Sequence, residues 1–137
     1  MRYLLDVNAL VALGFLQHEF HQRVAHWVRA SGASKGLLEL VTCSITELGF
    51  VRILTQAPQY GFTVAHARTL LLSLKSEKIL KFGFLPDDHD VSQLPGWVKT
   101  AKQITDGHLA QLAKANGAIL ATLDAGIPKA FLIPSSR

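Results

Sequence analysis

The stretch Arg2-Tyr3-Leu4-Leu5-Asp6-Val7-Asn8 decides how the rest of the chain is read. It is a short apolar run closed by a carboxylate. The apolar pattern resumes at once in Ala9-Leu10-Val11-Ala12-Leu13-Gly14-Phe15-Leu16, which reads as a helix. A strand buried on both faces of a parallel sheet is written as such a run. In open α/β sheets, ligands and reacting groups gather beyond the carboxyl ends of the strands. Asp6 therefore marks a rim to which other elements should deliver partners.

Working outward, residues 2–6 read as the first strand and 8–17 as a helix leaving it. Phe20, Val24, Trp27 and Val28 recur at i, i+4, i+7, i+8, so 19–31 is a second amphipathic helix. Residues 31–36 are a Gly/Ser-rich loop. Leu37 to Thr42 is a second apolar strand, interrupted only by Glu39. Ser44 is placed to cap a helix running to about Gln56, and Thr63 to cap another over 64–77. That second helix is rich in leucine, with Val64, Ala67, Leu71 and Leu74 on one face. Ile79 to Leu85 is a third strand, and Pro86 to Asp90 a polar loop. The pattern is ambiguous from Val91 to Gln103. Thr105 then caps a helix to Asn116, and Asn116-Gly117 closes it, since both residues tolerate the left-handed conformation. Residues 118–123 form a fourth strand, again closed by a carboxylate, Asp124. Pro128 can open a one-turn helix, and 131–133 is an edge strand. Strands alternating with helices predict one α/β domain over residues 1–137, on a parallel sheet covered on both faces.

Composition narrows the class. The chain has 137 residues, 49% of them hydrophobic, which is enough for a full core. No apolar stretch is long enough to span a membrane, and the chain enters a strand directly, with no secretory signal pattern. Cys43 is the single cysteine, so no internal disulfide forms, which fits a cytoplasmic protein. The net charge of +4 mildly favours a polyanionic partner such as RNA or DNA. The basic residues are scattered and form no run.

The ten carboxylates are more informative. Glu19, Glu39, Glu77, Asp87, Asp88 and Asp90 have ordinary helix-surface, strand or loop placements. Asp6 and Asp124 each close a strand. Glu47 falls in the first turn of the helix leaving strand two, and Asp106 in the first turn of the helix entering strand four. All four belong on one rim. Each has a local explanation: a capping box with Ser44 for Glu47, helix-dipole complementarity for Asp106, a turn for Asp124. Asp6 is the hardest to explain locally, because a carboxylate at the end of a buried strand loses hydration. Four acids brought together repel one another and take up protons unless a cation intervenes. Mg²⁺ or Mn²⁺ suits such an oxygen set. Two ions held roughly 4 Å apart stabilise both the attacking and the leaving oxygen of a phosphodiester displacement. Asn8 could orient Asp6 or cap the helix, and Thr122 lies on the same side of its strand as Asp124.

Leu5-Asp6-Val7-Asn8, Ser44-Ile45-Thr46-Glu47, Thr105-Asp106-Gly107-His108-Leu109-Ala110 and Ala121-Thr122-Leu123-Asp124, in that order and spacing, resemble the PIN-domain nucleases. More narrowly they resemble the VapC toxins of toxin–antitoxin pairs. The resemblance covers essentially the whole chain. It implies a three-layer α/β/α sandwich and Mg²⁺- or Mn²⁺-dependent endoribonuclease activity. It also implies inhibition by a VapB-like antitoxin, and often a homodimer, to which the helix over 64–77 could contribute. Asp6, Glu47, Asp106 and Asp124 become catalytic metal ligands, with Asn8 and Thr122 in support. One departure is Ala125-Gly126-Ile127, where many relatives carry Arg and then an aromatic after the last acid.

Lys99, Lys102 and Lys129 flank the acids and are placed to hold an RNA backbone. His108 is read as a helix-surface residue near the site. Two other classes compete. One is a phosphoryl-transfer protein using Asp6 as nucleophile, although a phosphatase of that kind would carry a second Asp where Asn8 stands. The other is a binding module that keeps the fold without catalysis.

Overall fold

The structure is a computed structural model that describes residues 1–32 and 35–135. Two residues of the expected 31–36 loop, Ala33 and Ser34, lie outside that range. Five strands form one sheet in the order β3-β2-β1-β4-β5: β1 (Arg2–Leu5), β2 (Glu39–Cys43), β3 (Lys81–Leu85), β4 (Ile119–Thr122) and β5 (Phe131–Leu132). Every neighbouring pair is parallel. The helices are α1 (Val7–Gly14), α2 (His21–Ala30), α3 (Ser44–Gln56), α4 (Val64–Lys75) and α5 (Ile104–Ala115).

Alternation along the central strands divides the core in two. Leu5, Leu40 and Ala121 point to one face, where they meet Leu10 of α1, Val24 of α2, Phe50 of α3 and Leu71 of α4. The next residue in register, Leu4, Val41 or Leu120, points to the other face and packs on Leu109 and Leu112 of α5. Four helices therefore cover one face and one covers the other, which is the three-layer sandwich expected. β1 is the middle strand and delivers Asp6 to the centre of the carboxyl rim.

Several boundaries shift for local reasons. α1 stops at Gly14 rather than near residue 17, because Phe15 turns extended while its N–H still donates to the Val11 carbonyl. The cap of α3 is Cys43, not Ser44: Thr46 Oγ1 accepts from the Cys43 N–H, so the capping box sits one residue earlier. α5 likewise begins before Thr105. A 3₁₀ turn over Ala101–Gln103, itself closed by Thr100 and Gln103, runs straight into it. A second 3₁₀ turn, Val91–Gln93, accounts for part of the ambiguous stretch. Beyond Pro128 there is a turn instead of a helix, with Lys129 in the left-handed region at φ 60°. Thr63 caps α4 as expected, but Val64 is 52% exposed instead of facing inward. Gly117 takes the left-handed conformation after α5, at φ 67°. Among the described residues no helix is long and apolar enough to cross a membrane.

Candidate active site on the carboxyl rim

Asp6 joins the fold to the site. It leaves β1 and becomes the N-cap of α1: Oδ1 accepts from the Ala9 N–H at 2.8 Å. Oδ2 accepts from the Thr122 hydroxyl at 2.6 Å. The cap therefore belongs to Asp6, and Asn8 is an exposed residue of the helix's first turn. Asp6 itself is only 6% exposed. Burial pushes its carboxyl above the ordinary range; the bonds from Thr122 and Ala9 pull it back, while Asp106 and Asp124 push it further up.

Asp106 comes from the first turn of α5. Its carboxyl is also raised, first by burial and then by the charge of Asp124. Asp124 is exposed just beyond β4. Its N–H donates to Thr122 Oγ1 at 3.0 Å, and its Oδ1 accepts from the Gly126 N–H at 2.8 Å, the turn expected there. Buried Thr122 thus bridges two acids, donating to one and accepting from the backbone of the other. Asp6 lies about a hundred residues before Asp106 and Asp124 in the chain, yet it is within reach of both their charges.

Glu47 is held differently. It is not bonded back to Ser44. The Thr42 hydroxyl donates to Glu47 Oε2 at 2.6 Å, and Lys75, in the last turn of α4, closes on the same oxygen as an ion pair. Asp6, Asp106 and Asp124 therefore share a field, while Glu47 has a protein cation of its own. Among the described residues no three His, Cys, Asp or Glu side chains converge on a single point as they stand. The donor set nevertheless fits a hard divalent ion. It is all oxygen, and two of its carboxyls, Asp6 and Asp106, are pushed toward protonation by burial and by neighbouring acid charge, which a cation relieves.

A cavity of about 440 Å³ opens beside Asp6, Asn8 and Asp124, and its other walls are His18, Glu19, Phe20 and Leu123. The turn between α1 and α2 thus joins the site. The apolar spacing predicts Glu19 on the surface of α2, whereas α2 begins at His21 and Glu19 faces the cavity. The Phe20 N–H donates to His18 Nδ1 at 3.0 Å, which leaves the ring proton on Nε2. Burial holds His18 below the ordinary histidine value, with opposing effects from Glu19 and His21.

His108 is not a free surface residue. Its Nε2 meets Asp87 Oδ2 at 2.5 Å, tying the loop after β3 to α5. Burial alone would raise Asp87, but bonds from His108 and the His89 N–H, with the charges of both rings, bring it below the ordinary value. Glu39 faces the opposite rim, where it pairs with Arg2 at 2.9 Å. Lys99, Lys102 and Lys129 are all exposed.

An all-parallel α/β sandwich with repelling carboxyls at the carboxyl end of its central strand defines a carboxylate-based site on an open sheet. The PIN-domain family model matches residues 3–131, and the chain belongs to that family, in its VapC ribonuclease branch. It is 38% identical to Ribonuclease VapC38 of Mycobacterium tuberculosis over 90% of this chain and 86% of the relative. It is 32% identical to Ribonuclease VapC29 of the same species over 99% of both. Among solved structures, the fold matches VapBC2 from Rickettsia felis bound to a promoter DNA fragment. The TM-score is 0.61 at 15% identity, covering 96% of this chain and 97% of that one. It also matches M. tuberculosis VapC20, a Sarcin-Ricin loop cleaving toxin, with a TM-score of 0.60 at 9% identity over 98% and 99%.

Proposed function

We propose that the chain is a divalent-cation-dependent endoribonuclease toxin, acting in the cytoplasm and neutralised by a VapB-like antitoxin. The observation that carries this reading is the buried Asp6 carboxylate at the carboxyl end of the central strand, tied through Thr122 to Asp124 and within reach of the charge of Asp106. The ribonuclease names of its relatives and the VapBC complex among its structural neighbours point the same way.

Asp6, Asp106 and Asp124 would hold Mg²⁺ or Mn²⁺, with Glu47 as a fourth ligand once it is released from Lys75. The ion would acidify water and neutralise charge on the phosphodiester. The residues of the chain supply the rest. Thr122 orients Asp6 through its hydroxyl and Asp124 through its backbone. Asn8 faces the cavity with an uncommitted amide. The exposed lysines 99 and 102, just before α5 and Asp106, hold the RNA backbone, whereas Lys129 lies toward the amino end of β4 with Lys114 and Ile119. Hydrolysis forms a bond from a water oxygen to phosphorus and breaks the bond to the leaving oxygen, which takes up a proton. An Asp6 nucleophile is disfavoured, because both of its oxygens already accept hydrogen bonds and the group is buried. A second copy would pair through α4, whose Val64 and Leu72 are exposed.

The test is cleavage of RNA by the purified protein with Mg²⁺ or Mn²⁺. Asp6→Ala, Asp106→Asn and EDTA-treated samples are expected to be inactive. Equal cleavage in all four samples would overturn the proposal, and light scattering checks the dimer.

A further inference from the structure

Of Asp6, Glu47, Asp106 and Asp124, Glu47 alone is paired with a lysine or arginine among the described residues. Lys75 reaches it from the far end of α4, twenty-eight residues along the chain. The Lys75 ammonium also lies 5.4 Å from the centroid of the Phe84 ring on β3, so an aromatic face steers it. The pair is not a solvated surface contact: the two side chains are 22% and 23% exposed. Both Lys75 and the Thr42 hydroxyl use the same oxygen, Oε2.

We propose that Lys75 is a built-in counter-cation for Glu47, which a divalent ion must displace before Glu47 can become a ligand. This rests on reading the acids as a cation site and adds a residue that sets how readily the site fills. In the resting protein the ammonium cancels the Glu47 charge, leaving Asp6, Asp106 and Asp124 as the uncompensated group. Two cations then compete for one carboxylate, and Lys75 acts as a positioning residue that lowers affinity for the ion.

Mn²⁺ titration of the full chain by isothermal calorimetry tests this without any RNA. Wild type is expected to bind saturably. Lys75→Met, which keeps an apolar stem against Phe84, is expected to bind at least about fivefold more tightly, the low end of coupling between two sites. Lys75→Arg should match wild type. With Lys75 in place, Glu47→Gln should weaken Mn²⁺ binding far less than Asp106→Asn does, and this comparison stands even if Lys75→Met does not fold. Lys75→Met binding no tighter than wild type, or Glu47→Gln losing as much as Asp106→Asn, would overturn the proposal. Failure of wild type to bind Mn²⁺ at all would instead remove the cation-site reading beneath it.

Discussion

Asp6 carries two duties that pull against each other. It is a helix cap, which favours the charged form, and a buried member of an acid group, which disfavours it. Thr122 eases the conflict, so Thr122→Val leaves a buried carboxylate short of one donor. Urea unfolding at neutral pH should show a loss of about 2 kcal/mol. The loss should shrink in acid, where Asp6 is protonated. Asp6 and Asp106 also set how the cation-free protein responds to pH. Both carboxyls sit above their ordinary values in the fold. In the interval between ordinary and raised values the folded chain binds more protons than the unfolded one, so stability falls as pH rises through it. Asp106→Asn removes one such group. Its cation-free melting temperature at neutral pH is expected to exceed that of wild type, even though cleavage is lost. A lower melting temperature would mean that the Asp106 carboxylate is compensated in the fold.

Among the elements, the contact of α1 with α3 matters most, because it seats the segment that follows Asp6. A Cβ added at Gly49 would lie 2.5 Å from Cγ2 of Val7. Alanine gains about 1 kcal/mol in helix propensity over glycine, but overpacking costs about 1–3 kcal/mol. Gly49→Ala is therefore expected to destabilise in thermal melts, and adding Val7→Ala to restore most of the loss. Much at this scale was legible beforehand. β1, β2 and β4 announce themselves as apolar runs, and Asn116-Gly117 ends α5 where expected. The cap of α3 was not, although Ser44-x-x-Glu47 is a fair capping box on paper. β2 pairs with β3 through Cys43 and Leu85, so the strand holds extended backbone up to Cys43 and the cap falls there. Glu47 is thereby freed to face Lys75. The Asp87–His108 bond was hidden for a similar reason: a loop acid and a helix histidine meet only after β3 and α5 have packed on the same sheet.

For the whole molecule, a sheet with four helices on one face and one on the other places every strand's carboxyl end on one rim. A cation bound there should stabilise the fold by mass action, since the unfolded chain does not gather the acids. Millimolar Mn²⁺ is expected to raise the wild-type melting temperature and to leave that of Asp106→Asn nearly unchanged. A shift of equal size in both would place the ion elsewhere. By itself the sequence determined the alternation of apolar strands and amphipathic helices, and which acids close strands or open helices. Those patterns are local: period, caps and breakers are written within a turn or two of the residues they govern. Only the tertiary structure decided that Lys75 answers Glu47, that His18 and Phe20 line the cavity beside Asp6, and that Thr122 ties two acids together. Each of those meetings depends on how helices and strands distant along the chain settle against a common sheet, and close packing across such distances leaves no periodic trace in the residues themselves.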